Sequence, residues 1–104
     1  MKRLVAACAA LACTTPLLAG APPQRIASLN KCADQLLVTL VDATRIASVS
    51  PIAADEFAFL AERLKHLPAN FGRGESILIS NADLVLAGTF ESHVRRQFLA
   101  RQGF

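Results

Sequence analysis

The residues of this chain that could do chemistry stand at four short stations: Asn30-Lys31-Cys32, Ser50-Pro51, Phe71-Gly72-Arg73-Gly74 and Thr89-Phe90. The first has no glycine through Asp34, so neither a dinucleotide fingerprint nor a P-loop is encoded there. Cys32 falls in the first turn of an expected helix, where the dipole favours a thiolate. It reads as a nucleophile or as a small side chain packing the helix start. A working thiol needs a base, and His66 and His93 stand at helical positions away from this strand end. Neither histidine has metal-ligand spacing with the other or with a carboxylate pair, so no metal centre is expected. Phe71 lies in a loop with two glycines, where it could stand over a flat ligand or cover the sheet edge. Arg73 beside it could pair with a carboxylate or phosphate. Phe90 follows Gly88-Thr89 and reads as a ligand contact or as a helix-start staple.

Two near-repeats set the elements that must position these stations. Arg25-Ile-Ala-Ser-Leu-Asn30 and Arg45-Ile-Ala-Ser-Val-Ser50 are each a short apolar run closed by a small polar residue. Helical spacing separates them, with Ala33, Leu36, Leu37, Leu40 and Val41 on one broad face. Strand, helix and similar strand make a βαβ unit, whose strands run parallel with a right-handed crossover. Parallel strands place their C-terminal ends on one edge, where open α/β sheets take ligands. Strands are expected at Arg25–Leu29, Ile46–Val49 and Asp83–Ala87. Helices are expected at Lys31–Val41, Glu56–His66, Glu75–Ser80 and Glu91–Gln102. Asn30 and Asp55 read as N-caps, and Gly103 as the C′ residue of the last helix. Asp34 suits the dipole of the first helix; Val94, Phe98 and Leu99 should face inward from the last. The fold class is α/β, an open parallel sheet with helices on both faces. Three strands leave two open edges, so the chain reads as the first part of a larger domain.

Residues 1–21 read as a secretory signal: Lys2 and Arg3, an apolar run from Leu4, and the small residues Ala19-Gly20-Ala21. Lipoprotein anchoring through Cys8 or Cys13 fits less well. Without that segment, nine Lys and Arg face eight Asp and Glu, and the formal charge falls from +3 to +1. No basic patch with interleaved aromatics exists, which disfavours nucleic acid. Arg95, Arg96 and Arg101 read as a solvated helix face. Only Cys32 remains, and it has no partner within the chain.

The strings Arg25-Ile-Ala-Ser-Leu-Asn-Lys-Cys-Ala-Asp-Gln-Leu-Leu37, Arg45-Ile-Ala-Ser-Val-Ser-Pro51 and Asp83-Leu-Val-Leu-Ala-Gly88 carry a resemblance. Over Arg25–Gly103 the chain resembles the N-terminal lobe of periplasmic substrate-binding proteins of ABC importers, of the iron-siderophore and vitamin B12 (cobalamin) type. Ala82 departs from the family's usual proline. The resemblance implies a Rossmann-like lobe over residues 22–104, forming one wall of an inter-lobe cleft. It implies that the strand-end loops at Asn30, Ser50, Phe71 and Thr89-Phe90 line that wall; with Lys31 and Pro51 from the repeated strand ends and Arg73 from the glycine loop, these are the expected ligand contacts. It also implies that Glu75 docks a membrane permease. The expected protein is a monomeric, periplasmic, non-enzymatic receptor without cofactor, whose ligand is an iron-siderophore or a corrinoid. Asn30, Ser50 and Thr89 in place of His and carboxylates disfavour a bare metal ligand, and a chain without Tyr gives haem no Tyr axial ligand. Half a cleft should hold its ligand weakly. Two other readings stay open: a small doubly wound enzyme using Cys32, and an exported interaction domain docking through Arg73 and Glu75.

Overall fold

The computed structural model describes residues 20–53 and 59–104. All but the end of the expected export signal, and the expected helix start at Asp55, Glu56 and Phe57, lie outside the described residues. Three parallel strands, β1 (Ile26–Ser28), β2 (Ile46–Ser48) and β3 (Leu84–Leu86), form one sheet in the order β2-β1-β3. Among the described residues four α-helices accompany them: α1 (Lys31–Leu40), α2 (Ala61–Leu64), α3 (Gly74–Ile79) and α4 (His93–Arg101). The two repeats are thus spatial neighbours. Ile26 pairs with Ile46 and Ala27 with Ser48, with one irregularity between them. On the other side of β1, Ile26, Ala27 and Ser28 meet Leu84, Val85 and Leu86 in regular register.

Side chains alternate across a strand, so a short apolar strand feeds two cores. Ile26 joins Ile46, Leu37, Val38 and Leu64, with Leu84 and Leu86 against them. Ala27 and Leu29 join Ile77 and Leu99, with Val85 and Phe98 against them. Helices α1 and α2 therefore serve one core, and α3 and α4 the other. That is the arrangement near-continuous apolar strands require, because neither face can be left to water.

Polar groups fix the frame. The two repeat arginines anchor the end of the sheet opposite the expected site. Arg25 donates through Nε and Nη2 to the Ser80 carbonyl at 3.1 and 2.7 Å. Arg45 donates through Nε to the Pro23 carbonyl at 3.1 Å. Asp83 accepts the backbone N–H groups of Gln24 and Arg25 at 2.8 and 3.0 Å, tying the entry of β3 to that of β1. These bonds hold its carboxyl below the usual range.

Several expectations change. The described strands are a residue or two shorter than expected, and among the described residues the second helix spans Ala61–Leu64. Leu36 and Leu40 are 58% and 76% exposed, because the buried stripe of α1 is the narrower set Asp34, Leu37 and Val38. Helix α4 begins at His93, after a turn in which Glu91 N–H donates to the Gly88 carbonyl at 3.1 Å. It packs through Phe98 and Leu99, and Val94 is 74% exposed. Gly103 does close it. With φ +98°, its N–H donates to the Ala100 carbonyl and that of Phe104 to the Leu99 carbonyl, the paired bonds of a Schellman ending.

Candidate functional site

The strand order places a topological switch point at the C-terminal ends of β1 and β3. From β1 the chain crosses to β2 on one side, and it later returns to β3 on the other. An open groove of about 630 Å³ lies there. Asn30, Lys31, Cys32 and Leu36 of the α1 start line one side with Ile52; Gly88, Thr89, Phe90 and Glu91 line the other.

Asn30 has extended backbone angles, and its Oδ1 accepts the Ala33 N–H at 2.9 Å, a side-chain N-cap. Gly88 lies directly against it. A Cβ on Gly88 would stand 3.1 Å from Asn30 Nδ2, so the glycine leaves room for the amide. Thr89 and Phe90 are exposed on the turn after β3. Cys32 is a free, exposed thiol on the groove wall. Glu91 is nearly buried at its side chain, where its carboxylate accepts from Arg95 and from the Ser92 N–H. A second groove of about 510 Å³ adjoins the first and shares Lys31, Cys32 and Leu36, with Phe59 and Arg63 beyond them.

The groove thus gathers Asn30, Lys31, Thr89 and Phe90 of the expected ligand residues, and the others stand elsewhere. Ser50 is buried: its N–H donates to Asp34 Oδ1 at 3.0 Å and its hydroxyl to Asp34 Oδ2 at 2.5 Å. Its polar atoms tie β2 to α1. Pro51 is exposed and lies against Gly72. Phe71 is 72% exposed on the rim of a separate groove of about 440 Å³, shared with Ser48, Asn70 and Ile79. Arg73 and the exposed Glu75 line a third region with Arg95 and Phe98.

Sequence reasoning passed over Asn70, the most engaged polar side chain beneath this edge. Its backbone N–H donates to the Val49 carbonyl at 2.9 Å, beside a parallel bridge between Val49 and Ala69. Its Nδ2 donates to the Ser28 carbonyl at 2.6 Å and to Ser48 Oγ at 3.2 Å, and its Oδ1 accepts the Gly72 N–H. The last bond is an Asx-turn, and Asn two places before a glycine was the signal available for it. Asp34 was read for its charge at a helix start, yet its larger role is the bond to Ser50.

The exposed lining of this groove is largely apolar, with a few polar groups among it. Among the described residues, no three His, Cys, Asp or Glu side chains converge on a point. No described helix is long and apolar enough to cross a membrane. Comparison of the chain with protein families, with curated proteins and with solved structures returns no match.

Proposed function

We propose that this chain is the N-terminal lobe of an extracytoplasmic substrate-binding component of an ABC import system. In this reading the lobe is Rossmann-like, and it captures an iron-siderophore or a corrinoid for delivery to an inner-membrane permease. The observation that carries the reading is the switch-point groove. Its position is the one at which open parallel sheets bind ligands. It sets an exposed aromatic, Phe90, opposite a polar helix start, Asn30 and Lys31. An aromatic face and apolar neighbours suit a large ring or chelate, while a few polar groups orient it. The resemblance carried by Arg25–Leu37, Arg45–Pro51 and Asp83–Gly88 supports the choice of family. Glu75, exposed on α3, is the docking acid of the same proposal.

Binding needs no nucleophile, and the exposed Cys32 serves as a reporter instead. Both ligand classes are coloured, so equilibrium dialysis read by visible absorbance is the direct test. Retention of cyanocobalamin or a ferric trihydroxamate below about 1 mM, weakened by Phe90→Ala, is the expected result. A folded protein that retains neither would sink the proposal. If Cys32 alkylation instead accelerates with pH around a midpoint far below that of a free thiol, the enzyme reading takes its place.

A further inference from the structure

Asn30 carries two functions on one amide, and only one is spent within the described residues. Oδ1 is committed to the Ala33 N–H at 2.9 Å. That bond also orients the amide, since only oxygen can accept there, so the NH2 group must take the other direction. Nδ2 lies over Gly88, at 3.1 Å from where a Cβ would stand, and donates to nothing among the described residues. The residue is half-buried and lines the switch-point groove. A donor already held in place costs a ligand little to use, because its rotamer is fixed by the cap before binding.

We infer that Asn30 Nδ2 is the specificity-determining donor of this groove, and that the ligand presents to it a carbonyl-type acceptor, such as an amide or hydroxamate oxygen. The inference rests on the functional reading above and names the chemistry read at that site. Gly88 belongs to the same device. Its missing Cβ leaves room for the amide beside the β3 end. Phe90 supplies area without direction, and Asn30 supplies direction. Sites built around a hydrogen bond reject analogues that cannot make it more sharply than apolar pockets reject a change of size.

The cap and the donor can be separated by substitution. Asn30→Asp and Asn30→Ser each keep an oxygen able to cap α1, and each removes the amide donor. Gly88→Ala keeps the amide and pushes against it. Each protein is dialysed against cyanocobalamin and a ferric trihydroxamate, with thermal melts alongside. The expected result is that both Asn30 variants melt within a few degrees of wild type and bind about ten-fold more weakly. Gly88→Ala should weaken the same ligand. If the wild type binds a probe and Asn30→Ser binds it within two-fold, the inference falls and the functional reading stands. If the wild type binds neither probe, both fall together. Should one Asn30 variant fail to fold, the other and Gly88→Ala carry the same comparison.

Discussion

At the scale of single residues, most polar side chains near the sheet hold backbone. Asp83 is the clearest case, because its two carboxylate oxygens each take one N–H, from Gln24 and from Arg25. Those bonds favour the ionised form, so the carboxyl titrates below its ordinary value of 3.8. A group depressed on folding contributes stability above its unfolded pKa, and that contribution is lost as pH falls through the folded value. Thermal melts of wild type and Asp83→Asn are therefore expected to differ at neutral pH. They should converge on acidification below about pH 3.8, the ordinary value. Equal spacing of the two melting curves at pH 2 and pH 7 would remove this role for the carboxylate. Glu62 is also held low, by its hydrogen bond and ion pair with Lys65. That pair is exposed, so salt should erase most of its effect.

At the scale of elements, the least expected feature is the turn after Asn70. Phe71 and Gly72 have φ of +55° and +66°, and the Arg73 N–H donates to the Asn70 carbonyl at 3.3 Å. Positive φ at both central positions is the signature of a type I′ turn, which favours Asn-Gly over Phe-Gly. A bulky side chain in the left-handed region costs about 1–2 kcal/mol. The ring is largely exposed, so packing returns little of this. Phe71→Asn is expected to stabilise the fold by about 1 kcal/mol, a rise in Tm of roughly 4–8 °C for a domain of this size. A fall in Tm would mean that the ring packs more strongly than its exposure suggests. Between α3 and α4 the logic is reversed. A Cβ at Gly74 would stand 2.5 Å from the Phe98 ring, so a larger residue there would have to displace the ring between these helices.

At the scale of the whole molecule, the parallel sheet was legible because its strands are apolar throughout and separated by helical spacing. The Asn30 cap and the Gly103 ending were legible for a local reason: each depends on neighbours a few residues away. What escaped was set by distant contacts. Leu36 and Leu40 satisfy a helical period, yet the core they were expected to meet is filled by Leu37, Val38 and Leu64. Ser50 ends an apolar run as Asn30 does, but Asp34 claims it. No period in the sequence signals which of two similar strand ends will face a groove. Strand order decides that, and β3 chose the free side of β1.

That choice has a consequence in time. The first repeat meets the second after α1 and a short 3-10 turn, Ala43–Arg45, but the entry of β1 meets that of β3 across 58 positions of chain. Contacts between distant positions carry the larger loop-closure entropy, so the β1-α1-β2 unit should form early and β3 should dock late. Truncating Val38 is expected to slow folding, whereas truncating Leu86 should mainly speed unfolding, as paired chevron plots would reveal. The groove needs both β1 and β3, so it would be the last part of the molecule to appear and the first to be dismantled. A ligand seated there would then act as a clasp on the slowest-won contact, lengthening the lifetime of the folded chain.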